Sequence, residues 1–76
     1  MRIGSLIKKH RELLGLTQAE LGYKTEMHGQ FISNIERLTC LPPKLKISKL
    51  YTVLKIKRGI FMGLMKKEYA DKLSGF

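Results

Sequence analysis

The sequence predicts an all-α fold of five short helices, and three observations carry that reading. Apolar residues recur at three-and-four spacing along nearly the whole chain. Nothing alternates with period two over the length of a strand. The periodic stretches are separated by capping, glycine and proline signals.

Ile3, Leu6, Ile7, His10, Leu13 and Leu14 form one stripe with Lys8, Lys9 and Glu12 opposite, which places a first helix over about residues 2–14. Gly15 follows as a residue that takes positive φ without a Cβ clash. Thr17-Gln18-Ala19-Glu20 is a capping box and opens a second helix over about 18–25. A third spans Gly29 to Arg37 with Phe31, Ile32 and Ile35 inward, and Leu41-Pro42-Pro43 stops the pattern. A fourth helix over about 44–55 has Leu45, Ile47, Leu50, Tyr51, Val53 and Leu54 as its apolar positions. The last, over about 58–73, carries Ile60, Phe61, Leu64, Met65, Tyr69 and Leu73.

A chain of 76 residues buries only about 60% of the surface that its unfolded form exposes, which leaves little room for a large catalytic cleft. One domain is expected over residues 1–76. Fifteen Lys+Arg against six Asp+Glu give a net charge of +9, a field that favours polyanions. The charge is uneven: residues 1–38 carry six basic and four acidic side chains, and residues 39–76 carry nine and two. The single cysteine, Cys40, cannot form an internal disulfide and fits a reducing cytoplasm, where it reads as a small half-buried hydrophobe. There is no apolar run of membrane-spanning length and no signal-peptide pattern. His10 and His28 lack metal-pair spacing, and Ser33 lacks an adjacent His–acid pair, so neither a metal, a cofactor nor an enzyme activity is expected.

Residues 17–37 carry the functional signal. A capped helix of two turns, a turn of about four residues, and a second helix with an inner Phe/Ile/Ile face can present the start of the second helix to a DNA major groove. With Leu16-Thr17-Gln18-Ala19-Glu20-Leu21, Ile32-Ser33-Asn34-Ile35-Glu36-Arg37 and a proline before another amphipathic helix, the chain resembles the phage-repressor and Cro type of helix-turn-helix regulator. The likeness covers about residues 3–56 and implies a lambda-repressor-like DNA-binding domain.

The resemblance implies roles residue by residue. Gln18 is to hydrogen-bond a phosphate and brace the recognition helix. His28, Gly29, Gln30 and Asn34 take its base-facing positions, and the two amides suit adenine. Arg37 joins this DNA-binding set. Arg11 and Glu36 match a salt bridge between the first helix and the recognition helix. Three positions depart from the family: Glu26 replaces the turn glycine, Leu38 replaces a glycine after Glu-Arg, and Gly29 has no side chain with which to read a base. Lys44, Lys46 and Lys49, with no local acid, are expected on phosphates.

In the last segment Ile60, Phe61, Leu64 and Met65 are assigned to a dimer interface, with packing in the core as the alternative. The whole reads as a cytoplasmic transcription regulator that binds a palindromic operator on double-stranded DNA as a homodimer. A phage Cro or repressor, a restriction–modification controller and an antitoxin are the types open to it. The competing classes are a protein-interaction module, with a toxin or polymerase subunit on the last helix, and a basic amphipathic membrane-surface protein.

Overall fold

The computed structural model describes residues 2–74, with side chains through Ala70, and is all-helical. The elements are α1 (Ile3–Leu13), α2 (Gln18–Lys24), α3 (Gly29–Glu36), α4 (Ile47–Val53) and α5 (Arg58–Ser74), with a 3₁₀ turn at Lys44–Lys46. The capping box forms as the sequence predicts: the Glu20 amide donates to Thr17 Oγ1 at 3.0 Å and the Thr17 amide to Glu20 Oε1 at 2.9 Å. The fourth helix begins later than its periodicity suggests. Pro43 accepts an i→i+3 bond from the Lys46 amide at 2.9 Å, and the tighter turn swings Leu45 outward to 89% exposure.

The four exits between helices are built alike. In each, the residue after the C-cap takes a left-handed conformation: Gly15 (φ 71°), Glu26 (59°), Leu38 (63°) and Lys55 (57°). Its amide bonds back to Glu12, Tyr23, Ile35 and Thr52 respectively, and the next amide reaches one carbonyl further back, to Arg11, Gly22, Asn34 and Tyr51. This is the Schellman pair. Leu16, Met27 and Ile56, which follow three of the left-handed residues, pack on or in the core. The departures from glycine at Glu26 and Leu38 therefore leave the turn geometry intact, with a non-glycine residue held in the left-handed region.

Ile3, Leu6 and Ile7 from α1, Leu21 from α2, and Ile32 and Ile35 from α3 meet Leu50, Leu54, Ile56, Phe61 and Met65 in one core. Thr25 is buried with its hydroxyl satisfied, donating to the Leu21 carbonyl at 2.7 Å. His10 is half-buried, whereas Leu13, placed on the α1 stripe by periodicity, lies beyond the core's edge and is 72% exposed.

The expected apolar face of α5 divides. Phe61 and Met65 stand one turn apart on the inward side and are fully buried, the Phe61 ring tilted against Tyr51 at 5.9 Å between centroids. They are core residues, which corrects their assignment to a dimer contact: side chains with no accessible surface cannot touch a partner. Ile60 is exposed and Leu64 half-buried on the flank. The Leu73 side chain lies outside the described residues.

Glu68 of α5, which periodicity did not single out, caps α1 from outside that helix. Its carboxylate is buried and accepts the Ile3 amide, and Arg2 Nε stands 3.4 Å away. A negative group at this helix start meets both an orphan donor and the positive end of the helix dipole, so α5 is tied to α1 by charge as well as by packing.

Candidate nucleic-acid interface

The outward face of α3 has one connected polar row. Gln30, Asn34 and Arg37 are spaced i, i+4, i+7, so they lie above one another on a helix surface. Gln30 Nε2 donates to Asn34 Oδ1 at 3.2 Å and Arg37 Nη2 donates to the same oxygen at 3.1 Å. Asn34 thereby keeps its amide N–H groups, and Gln30 its carbonyl, for an incoming partner. His28 is exposed just before the helix and is its N-cap residue, but makes no side-chain cap, so the first α3 amides are unclaimed by any side chain.

A partly buried polar junction fixes the inner side of α3. Arg11 Nε donates to Glu36 Oε2 at 2.7 Å and Nη2 to Oε1 at 3.1 Å, a bidentate fork. Arg11 Nη1 also donates to the Leu16 carbonyl at 2.8 Å, and Gln18 Nε2 to Glu36 Oε1 at 3.1 Å. The side chains of Arg11 and Glu36 are 11% and 3% exposed. The hydrogen bond to Glu36 holds the Arg11 guanidinium above its ordinary pKa against the opposing effect of burial. One carboxylate thus joins α1, the start of α2 and the end of α3.

Three lysines lie along the 3₁₀ turn and the start of α4. Lys44 is exposed and forms no ion pair among the described residues, whereas Lys46 Nζ lies 3.7 Å from Glu26 Oε2 and Lys49 Nζ hydrogen-bonds Glu26 Oε1. Glu26, Met27, His28, Phe31, Pro43, Leu45 and Lys46 line an open, apolar hollow of about 280 Å³ between the α2–α3 turn and the lead-in to α4.

No protein-family model matches the chain, and no curated protein matches it by sequence. Among solved structures, a point mutant of the restriction-modification controller protein C.Esp1396I superposes with a TM-score of 0.68 at 29% identity, over 90% of this chain and 86% of that one. The chain has a Cro/C1-type helix-turn-helix fold. In that frame α2 and α3 are the helix-turn-helix, and α3 stands at the recognition position.

The helix-turn-helix does not gather all the residues that the sequence suggested. Gln30, Asn34 and Arg37 share the outer face of α3, with His28 at its edge, but Gly29 does not face outward. A Cβ at Gly29 would lie 3.0 Å from Ala19 Cα, so this position, where no side chain was expected to read a base, permits the close crossing of α2 and α3. Gln18 is turned onto Glu36, bracing α3 with one amide nitrogen. Sequence reasoning missed Glu26 as the partner of two lysines. Residues 26, 46 and 49 are distant in the chain, and only the turn that sets Glu26 beside the α4 lead-in brings their charges together. Among the described residues no group of His, Cys, Asp and Glu is arranged to hold a metal ion, and no helix is long and apolar enough to cross a membrane.

Proposed function

We propose that this chain is a sequence-specific DNA-binding transcription regulator, one domain over residues 1–76, that binds a palindromic operator as a homodimer in the cytoplasm and has no enzyme activity. The observation that carries the reading is the Gln30–Asn34–Arg37 row, outward on a helix whose inner side is locked by the Arg11–Glu36–Gln18 junction. Gln30 and Asn34 read base edges, with paired amide donors and acceptors suited to adenine N6 and N7. Arg37 and His28 flank them on the duplex. Gln18, Lys44 and Lys46 hold phosphates, which sets register and supplies the salt-dependent part of the affinity.

Ile60, exposed on the flank of α5, and Leu64, half-buried beside it, are the dimer contact in this reading. A two-fold axis doubles the few base pairs that one recognition helix reads and sets half-sites one turn of DNA apart. The likeness to a restriction-modification controller protein supports that type over a phage repressor or an antitoxin.

The test is selection of bound sequences from a random duplex pool, with sedimentation of the free and DNA-bound protein. The expected result is a palindrome with half-site centres about 10 base pairs apart and two chains per site. Retention of no duplex, or binding insensitive to salt, overturns the reading.

A further inference from the structure

Glu26 is a carboxylate where the backbone favours glycine: its φ is 59° and its side chain is 67% exposed. Neither the turn nor the core requires an acid there. Its two oxygens are nevertheless divided between two lysines 20 and 23 residues further along the chain, Oε2 toward Lys46 and Oε1 toward Lys49. Lys46 lines one hollow with His28 and Phe31 at the exposed start of α3, where the proposed function places the DNA backbone, and Lys49 is joined to it through Glu26.

We infer that Glu26 is an internal substitute for a DNA phosphate, occupying Lys46 and Lys49 in the free protein and yielding them when a duplex displaces it. The inference rests on the DNA-binding reading and deepens it. A carboxylate between two ammonium groups presents the charge that a phosphate oxygen would present there, and Glu26 is held below the usual carboxylate range, first by its Lys49 hydrogen bond, so it stays ionised near neutrality. An ion pair this exposed is weak, which lets a polyanion with many charges replace it. The device lowers the affinity for every duplex alike. It thereby restrains the non-specific binding that a net charge of +9 promotes, without touching the row that reads sequence.

The test uses the full chain and a mixed-sequence 30-base-pair duplex over a salt series. Glu26→Gln removes the charge and keeps the shape; Glu26→Gly removes it while easing the left-handed backbone. Both should bind about 3–10-fold more tightly at 0.1 M salt, with log K against log salt steeper by about 0.9 for each lysine newly placed on a phosphate. The decisive arm repeats Glu26→Gln on a Lys46→Gln/Lys49→Gln background, where the gain should vanish. A gain of the same size there means that Glu26 merely repels phosphate through space, and overturns the inference. Equal affinity and slope for wild type and Glu26→Gln also overturn it, while leaving the DNA-binding reading in place. A wild-type chain that retains no duplex at any salt removes both.

Discussion

Replacing Arg11 by methionine keeps most of the side chain's apolar stem and deletes its charge and its three hydrogen bonds. Glu36 is then left as a carboxylate with 3% of its side chain exposed and one remaining donor, Gln18 Nε2 at 3.1 Å. Removing one partner of a buried pair costs about 3–5 kcal/mol, because the survivor cannot recover its hydration. The lower end applies here, since Gln18 still bonds Glu36. For a domain of this size each kcal/mol moves the thermal midpoint by about 4–8 °C, so a loss near 3 kcal/mol lowers it by about 12–24 °C. Calorimetry or thermal circular dichroism of Arg11→Met, Glu36→Met and the double variant reads this directly. The double variant should recover at least about 2 kcal/mol relative to the sum of the singles, because an apolar pair of similar volume leaves no charge stranded. A midpoint within about 5 °C of wild type for Arg11→Met would refute the reasoning, since a loss under about 1 kcal/mol is what a solvated surface pair gives.

Gln30→Ala and Asn34→Ala should each change base preference at one position of a half-site, at about 1–3 kcal/mol in a competition assay; unchanged preference in both would remove α3 from the reading role. Phe61→Glu should abolish cooperative unfolding, whereas Ile60→Glu should keep the fold and, if α5 carries the dimer, sediment as a monomer without operator binding. Glu20 is held below the usual carboxylate range, first by the Thr17 amide, so its contribution to stability is present above the ordinary glutamate pKa and is lost as pH falls through its lowered folded-state value. The Thr17 amide shift should follow that titration by NMR, and Glu20→Gln, which can keep the cap, should abolish the acid-dependent change. Lys55→Gly should raise stability by about 0.5–1 kcal/mol in a urea titration, because glycine adopts its left-handed backbone without the Cβ clash.

The helices and the helix-turn-helix were legible because their signals are local. The Thr17–Glu20 box, the Phe31/Ile32/Ile35 spacing and the proline pair each act within one or two turns of chain. Burial at element ends was less legible. Leu13 and Leu45 satisfy the periodicity, but one lies past the edge of the core and the other sits on a 3₁₀ turn that rotates it away. The split of the α5 face depends on the directions from which α1 and α4 approach, and spacing within α5 alone does not contain those directions. Within the interface, the α3 row could be read from spacing i, i+4, i+7, whereas Gly29 facing Ala19, Glu26 beside Lys46 and Lys49, and Glu68 beneath Ile3 arise from tertiary approach. The common exits were half-visible: Leu16, Met27 and Ile56 are the apolar residues that such exits place behind the left-handed position, but only the first follows a glycine.

Four exits of one design have a consequence for how this molecule can change. The direction in which the chain leaves each helix is specified by main-chain hydrogen bonds and, at three of the exits, by an apolar residue tucked behind them. The aim of α3 is accordingly set from beneath, by the Glu26 and Leu38 exits and the Glu36 junction, and owes nothing to the side chains on its outer surface. Positions 30, 34 and 37 then behave as an interchangeable cartridge in a fixed holder. Their lettering can be rewritten, by drift or by design, and the new letters will be presented at the old angle.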